Sequence, residues 1–153
     1  MKITKKGEYA LKALIELAIN YDKGIGVTLI NDIAGHENIP PKYLEHIMLN
    51  LKNSGILTSK RGVGGGYTLS RPPAEISLGE ILRTVEGPLA PLNCVSKSAY
   101  VNCPQEAYCG LFSVMSEVRE AIANIVDNIS LKVLANRTLE LIEKKHNAYN
   151  YVI

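Results

Sequence analysis

A glycine-rich segment between two short runs of strand-forming residues constrains the fold of this chain most. The runs are Ile56–Ser59 and Tyr67–Ser70, and residues 60–66 between them read Lys-Arg-Gly-Val-Gly-Gly-Gly. Glycine permits the backbone conformations that a tight chain reversal needs. No Gly-Lys-Ser/Thr follows, and the segment joins two strands, which disfavours a phosphate-binding loop. The sequence therefore predicts a β-hairpin with Lys60 and Arg61 at its basic tip.

Three helices are predicted before the hairpin. Residues 4–21 repeat apolar side chains at helical spacing, and Thr28 is the expected N-cap of a short second helix that ends near Gly35. The third helix is expected to begin at Pro40–Pro41, because proline is tolerated where the backbone N–H has no partner. Its apolar stripe consists of Leu44, Ile47, Met48 and Leu51.

Two helices joined by a short turn and followed by a hairpin form the winged helix-turn-helix plan, in which the second helix of the pair enters the major groove of DNA. Glu45 can accept a hydrogen bond from cytosine N4, and Arg61 suits a narrow minor groove. The alternative is that these side chains only cover the surface, with Glu45 paired to a lysine. The candidate DNA-binding residues are Lys42, Tyr43, Glu45, His46, Lys60 and Arg61.

Charge and composition agree with this interpretation. Residues 1–71 hold ten Lys/Arg and six Asp/Glu, a balance of +4, whereas residues 72–153 hold seven and nine, a balance of −2. The first half is therefore expected to contact phosphate. We find no apolar run long enough to span a membrane and no signal-peptide pattern, so a cytoplasmic location is expected. No nucleophile, base and oxyanion-donor set emerges, so we expect no enzyme activity.

The second half is expected to be helical around an irregular loop. Ser77 and Glu80 form a capping box that opens a helix to about Val85, and residues 87–109 contain three prolines and read as a loop. One long helix over 111–129 and a shorter one capped by Ser130 should follow. A long helix outside a compact domain has little core of its own, which favours pairing with a second copy in a homodimer.

The predicted fold class is mainly α with a small β-hairpin wing. We divide the chain into a winged helix-turn-helix DNA-binding domain (1–86), a cysteine-bearing sensor loop (87–110), a dimerisation helix with a following short helix (111–137) and a C-terminal helix or tail (138–153).

All three cysteines of the chain, Cys94, Cys103 and Cys109, lie in one sixteen-residue window with the spacing Cys-x8-Cys-x5-Cys. An odd number of cysteines without an export signal argues against a structural disulfide framework. Metal, cluster or redox chemistry is the better explanation. Thiolates suit iron–sulfur clusters, zinc and thiol–disulfide exchange alike, so the residues alone leave these alternatives open.

Three segments together resemble a known family. They are residues 4–11 (Thr-Lys-Lys-Gly-Glu-Tyr-Ala-Leu), 39–45 (Ile-Pro-Pro-Lys-Tyr-Leu-Glu) and 59–69 (Ser-Lys-Arg-Gly-Val-Gly-Gly-Gly-Tyr-Thr-Leu). They look like the landmarks of the IscR/NsrR-type regulators, the Rrf2 family, and the resemblance runs to about residue 137. It implies a homodimer crossed through the long helix and bound to an imperfect palindrome in double-stranded DNA. It also implies that Tyr43, Glu45 and His46 contact bases and that Arg61 enters the minor groove.

The resemblance further implies a cofactor. Cluster-binding members hold an iron–sulfur cluster, [2Fe–2S] or [4Fe–4S], through three cysteines placed like Cys94, Cys103 and Cys109. IscR-type members have a histidine three residues beyond the last cysteine, where this chain has Phe112, which cannot ligate. Glu8 stands where some nitric-oxide-sensing members supply an acidic ligand from the partner subunit. The alternative for Glu8 is an ordinary first-turn acid favoured by the helix dipole.

The predicted function is thus a DNA-binding repressor whose affinity depends on a cluster that reports iron–sulfur, redox or nitric oxide status. His36, in the turn before the recognition helix, is a second candidate ligand, and its alternative is a solvated histidine. Two other mechanisms remain open. The cysteines can act as a thiol–disulfide or zinc sensor, or the chain can act through a complex with a metabolic enzyme, as some family members do.

Overall fold

The computed structural model describes residues 2–150 of the 153-residue chain, with side chains described through residue 148. Within that part, six α-helices and one antiparallel pair of strands confirm the mainly helical fold class with a small hairpin wing. Their order is α1 (Lys5–Asp22), α2 (Ile30–Glu37), α3 (Pro41–Asn53), β1 (Leu57–Lys60), β2 (Gly66–Leu69), α4 (Leu78–Glu86), α5 (Gly110–Asp127) and α6 (Leu131–Asn150).

Helix α1 is the central element of the core and contacts α2, α3, α4 and α6. Its N-cap is Thr4, whose side-chain oxygen accepts a hydrogen bond from the Gly7 N–H and so satisfies a donor that has no partner within the helix. Small and branched residues at helical spacing form its buried face, which packs against the apolar stripe of α3. The fully buried side chains of this face are Ala10, Ala13, Leu14 and Ala18.

The wing is attached to the helix-turn-helix by backbone pairing. Thr28 N–H donates to the Tyr67 carbonyl and Tyr67 N–H donates to the Thr28 carbonyl, both at 2.9 Å, so Thr28 pairs with β2. The prediction that Thr28 caps α2 is therefore wrong, because its backbone is extended beside the hairpin. Helix α2 begins at Ile30, after Leu29, without a side-chain cap. The Thr28 hydroxyl instead accepts a hydrogen bond from the Asn20 side chain at 3.0 Å.

Gly66 allows this close approach. A Cβ atom at Gly66 would lie 2.7 Å from the carbonyl carbon of Thr28, well inside the 3.4 Å at which ordinary contacts begin. Within the hairpin, Leu57 is opposite Leu69 and Lys60 is opposite Gly66. The register places the buried leucines of both strands against the helical core and leaves the tip in solvent.

Helix α4 joins the winged domain to the second half of the chain. The Ser77 hydroxyl accepts from the Glu80 N–H at 3.1 Å, which confirms the serine half of the predicted capping box. The Glu80 carboxylate accepts from Arg71 instead of from the Ser77 N–H. Arg83 in α4 forms a two-bond ion pair with Asp127 at the end of α5, at 2.6 and 3.0 Å. The Leu78 N–H donates to the carbonyl of Ile129 at 2.8 Å. The end of α5 is thereby fixed to α4.

The last two helices differ in how much of their surface their own chain covers. In α5 only Val126 is buried among its eighteen residues. Leu131 and Ala135 of α6 are fully buried, and α6 packs along α1. The prediction of a short final helix is wrong in length, because α6 extends for twenty residues. Beyond Thr138, the apolar side chains of Leu139, Leu141 and Ile142 are exposed, and the residues after Ile142 are mostly polar.

Residues 151–153, at the end of the predicted C-terminal tail, and Met1, at the start of the predicted DNA-binding domain, lie outside the described residues. None of the helices described combines the length and the apolar character that a bilayer-crossing segment needs.

Candidate DNA interface and cysteine loop

The predicted recognition helix presents its candidate base-contacting residues to solvent. Lys42, Tyr43, Glu45 and His46 are all exposed on α3, and the opposite face is buried in the core. Glu45 forms no ion pair with any lysine among residues 2–148. Its carboxylate is therefore available to an external donor such as a base amino group.

Tyr43 also contacts an aromatic side chain of α1. Its ring meets the ring of Tyr9 edge to face, with centroids 5.9 Å apart and planes at 79°, a geometry that aromatic pairs favour. The Lys5 ammonium lies 5.8 Å from the centre of the Tyr9 ring. The first two turns of α1 thus set the position of a side chain in the recognition helix. Sequence reasoning missed Tyr9, since nothing in its local pattern indicates a contact 34 residues away.

The wing places its basic residues beside the helix-turn-helix. Lys60 and Arg61 are exposed, and Val63 at the tip is completely exposed. Both basic residues line a cleft of about 390 Å³ between the wing and the start of α2. Lys52, from the last turn of α3, lines the same cleft and was not predicted. Three cations around one cleft that opens beside the recognition helix suit contact with the DNA phosphates.

The three cysteines lie where the sequence predicted, on the loop between α4 and α5. All three are free and half-buried. Cys94 is in a short 3₁₀ turn over Asn93–Val95, and Cys103 precedes a second such turn. Cys109 caps α5, where its sulfur accepts a hydrogen bond from the Phe112 N–H at 3.4 Å. The helix start thus fixes the last cysteine.

Tyr100 lies on the cysteine loop between Cys94 and Cys103. The Tyr100 hydroxyl donates to the Glu106 carboxylate at 2.6 Å. This bond, with the desolvation and charge around it, raises the pKa of Tyr100, and the nearby thiols of Cys103 and Cys94 add to the rise. The segment between the first two cysteines therefore carries a phenol with a raised pKa.

The donor set was tested against an iron–sulfur cluster. Three thiols on one loop match the soft ligands and the number that such a cluster takes from cysteine. Among residues 2–148, however, no three Cys, His, Asp or Glu side chains are gathered at metal-binding distance. The loop fits the group in its chemistry, and binding requires the loop to close and a further ligand to be supplied.

Glu8, the predicted outside ligand, lies in the first turn of α1 and is 41% exposed. Its carboxylate pairs with Lys5 at 2.7 Å and with Lys12 at 3.5 Å. The hydrogen bond from Lys5 is the main reason that the pKa of Glu8 is lowered, so the group is ionised. Among residues 2–148, Glu8 belongs to no group of three potential metal ligands.

The start of α1 is itself held by the end of α4. The Thr4 N–H and hydroxyl both donate to the Glu86 carboxylate, at 2.9 and 2.8 Å. This carboxylate fills the space where a side chain at Gly7 would stand. Glu86 immediately precedes the cysteine loop and was missed by the sequence analysis, because its partner is 82 residues away.

His36, the second candidate ligand, is used elsewhere. Its Nδ1 lies 2.8 Å from a carboxylate oxygen of Glu16, which is only 13% exposed. That hydrogen bond raises the pKa of His36. The other oxygen of Glu16 is buried and has no hydrogen-bond partner in the described part of the chain. His36 therefore joins α2 to α1 and is not gathered with the cysteines.

The chain is similar to several transcription regulators. It is 40% identical to an rrf2-like HTH-type regulator of Rhodobacter capsulatus over 134 residues, which cover 85% of this chain and 89% of that one. It is 33% identical to the HTH-type regulator CymR of Bacillus subtilis over the full length of both.

Solved structures of transcription regulators are also similar to this chain. The structure of CymR, described as the global cysteine regulator of B. subtilis, superposes with a TM-score of 0.73 at 34% identity, over 90% of this chain and 98% of that one. The IscR of T. potens superposes with a TM-score of 0.71 at 28% identity, over 90% and 88% of the two chains.

A family model described as "Rrf2: Iron-dependent Transcriptional regulator" matches residues 3–137, most of the chain. This match, together with the helix-turn-helix, the wing and the relatives, establishes what class of protein the chain is. The chain belongs to the Rrf2 family of DNA-binding transcription regulators, and it is not an enzyme.

Proposed function

We propose that this protein is a cytoplasmic repressor that binds an imperfect palindrome as a homodimer and changes its DNA affinity with the state of the cysteine loop. The observation that carries the proposal is the position of three free, half-buried cysteines on the single loop between the winged domain and α5. A change in the conformation of this loop would affect the elements at both of its ends. One end follows Glu86, which holds the start of α1, and the other is Cys109, which caps α5.

The DNA-binding half of the proposal rests on the exposed residues of α3 and the wing. Tyr43, Glu45 and His46 contact bases in the major groove, and Lys42 and Lys60 contact the phosphates. Arg61 enters the minor groove at the edge of the site. Phosphate contacts position the protein, and base contacts give specificity.

The homodimer is proposed from the surface of α5. Leu111, Val114 and Ile125 are each more than half exposed, and Val126 is the one buried residue of this helix. Large exposed apolar side chains along one helix are typical of an interface. A second copy presents an identical surface, and a twofold arrangement places two recognition helices on two half-sites.

The sensor is proposed to be an iron–sulfur cluster held by Cys94, Cys103 and Cys109, with Glu8 of the partner subunit as the remaining ligand. Glu8 suits this role because its carboxylate is ionised and accessible. When bound, the cluster supplies a centre that oxygen, nitric oxide or iron limitation can alter. Ligation by Glu8 links the loop of one subunit to α1 of the other, and hence to Tyr9 and Tyr43.

A second candidate mechanism is a thiol–disulfide sensor without a cluster. It is favoured by the three free, half-buried thiols on one loop, which are not gathered with other potential metal ligands among residues 2–148. A zinc site with three thiolates, and regulation through a complex with a metabolic enzyme, are the remaining alternatives. The relative named for cysteine regulation makes the thiol mechanism the main competitor.

The test is the visible absorption spectrum, together with the iron, sulfide and zinc content, of protein purified without oxygen. A brown protein that contains iron and acid-labile sulfide, and that loses both in a Cys94→Ser variant, supports the cluster. The Glu8→Ala variant should then lose cluster stability while retaining its three thiols. A colourless protein that cannot be reconstituted with iron and sulfide refutes the cluster, and zinc content then separates the two remaining sensors.

A further inference from the structure

Arg119 of α5 is partly buried and contacts the cysteine loop, and the proposed function gives it no role. Its Nη1 donates to the backbone carbonyl of Val95 at 2.6 Å, and its Nη2 pairs with Glu120. Its side chain is only 20% exposed. The residue that supplies the carbonyl directly follows Cys94, so this bond fixes the backbone next to the first cysteine.

The same turn is held at a second point. Lys97 pairs with the Glu120 carboxylate at 2.8 Å, and Glu120 also accepts from Arg119. Two consecutive residues of α5 therefore hold residues 95 and 97 of the loop. Val95 and Ser96 between these bonds are 1% and 5% exposed, whereas residues 97–102 are exposed. We call these contacts of Arg119 and Glu120 the clamp. The loop residues beside the clamp are buried, and those after it are exposed.

One donor of Arg119 remains unused. The Nε atom is buried and has no hydrogen-bond partner among the described residues. A buried unsatisfied donor costs free energy, and in native proteins such groups call for a specific explanation. A rearranged loop that offers this donor a carbonyl oxygen would remove the cost.

We propose that Arg119 is a positioning residue of the sensor loop, which fixes Cys94 against α5 and passes the state of the loop to that helix. This inference rests on the proposed sensor function for its regulatory consequence, but not for the positioning itself. Cys109 is fixed to α5 separately, through the Phe112 N–H. Arg119 therefore determines where the first cysteine lies relative to the last.

The positioning is tested by the reactivity of single cysteines in the full-length chain. One protein retains only Cys94 and another retains only Cys109, with the other cysteines changed to serine, and each is combined with Arg119→Met. A hydrogen bond from a charged donor is strong enough that its loss shifts a local opening equilibrium by about tenfold. We expect alkylation of Cys94 to accelerate about tenfold and alkylation of Cys109 to change by less than about twofold.

Two further variants separate positioning from general loosening. Arg119→Lys keeps one donor for the Val95 carbonyl and should restore part of the slow Cys94 rate. Lys97→Ala removes the exposed ion pair with Glu120 and leaves the bond from Arg119 to Val95. Because exposed ion pairs contribute little stability, the alkylation rate of Cys94 should stay close to the wild-type rate. An unchanged Cys94 rate in Arg119→Met overturns the proposal, and so does an equal rise at both cysteines.

The regulatory consequence has a separate readout. In wild type, operator affinity should differ between the reduced protein and the protein treated with a thiol oxidant, and Arg119→Met should reduce that difference. If the wild-type protein shows no such difference, the proposed sensor function fails, and the Cys94 rate alone still decides whether Arg119 positions the loop.

Discussion

Replacing Gly66 by alanine tests how the wing is attached to the helix-turn-helix. The added Cβ would lie 2.7 Å from the carbonyl carbon of Thr28, and ordinary contacts begin at 3.4 Å. The two segments must therefore separate by at least about 0.7 Å. The two backbone hydrogen bonds between Thr28 and Tyr67, each 2.9 Å long, would then exceed 3.5 Å and be lost.

The expected loss of stability follows from the loss of those two hydrogen bonds. A hydrogen bond contributes about 0.5–1.5 kcal/mol of net stability, so Gly66→Ala should lower the free energy of unfolding by about 1–3 kcal/mol. The released wing no longer holds Arg61 in place. The loss of one positioned groove contact costs about 1–3 kcal/mol of binding free energy, so operator affinity should fall about tenfold or more.

Urea denaturation measures the stability, and fluorescence anisotropy with a labelled operator measures the affinity. Gly26→Ala is the matched control, because Gly26 lies two residues before Thr28, in the segment that pairs with the wing, and an added Cβ there meets no atom within 4 Å. The reasoning is refuted if Gly66→Ala keeps wild-type stability and affinity, or if Gly26→Ala is equally damaging.

Three further predictions concern the recognition surface and the helix-turn-helix. Arg61→Ala should weaken operator binding without lowering the unfolding temperature, because Arg61 is exposed; unchanged affinity in anisotropy would exclude the minor-groove role. Glu45→Ala should broaden sequence preference more than it lowers affinity, and a uniform loss across a set of operator variants would indicate a structural role. The bond to Glu16 raises the pKa of His36, so the stability it adds is present below about pH 6.5 and is lost as the pH rises through the raised pKa. The stability difference between wild type and His36→Gln should therefore shrink from pH 6 to pH 8.5, and a difference that is constant in urea denaturation would contradict this.

The elements that sequence reasoning found are those with a strong local signal. The apolar stripe of α3, the proline at its start and the glycines of the wing each specify local structure within a few residues. The capping serine of α4 is a signal of the same kind, since its partner is three residues away. The exposed side chains of α3 and the wing could be named for the same reason, because exposure on a helix follows from its buried stripe.

The features that sequence reasoning missed depend mostly on contacts between distant parts of the chain. Thr28 looks like a helix cap by its type, and only the position of Tyr67 shows that its backbone pairs with the wing instead. Glu86 and Arg119 act on segments far from them in sequence, so no local pattern marks them. The length of α6 was missed because the residues after Ile142 are mostly polar and continue the helix without an apolar stripe.

Helix α5 has a consequence for the thermodynamics of the whole protein. With Val126 as its one buried residue, this eighteen-residue helix gains little free energy from packing on its own chain. In the proposed homodimer, its order follows mass action and depends on the concentration of the protein. Since Cys109 caps this helix, we expect the reactivity of the loop to depend on protein abundance as well as on the proposed chemical signal. The expression level of the regulator would then be part of its response.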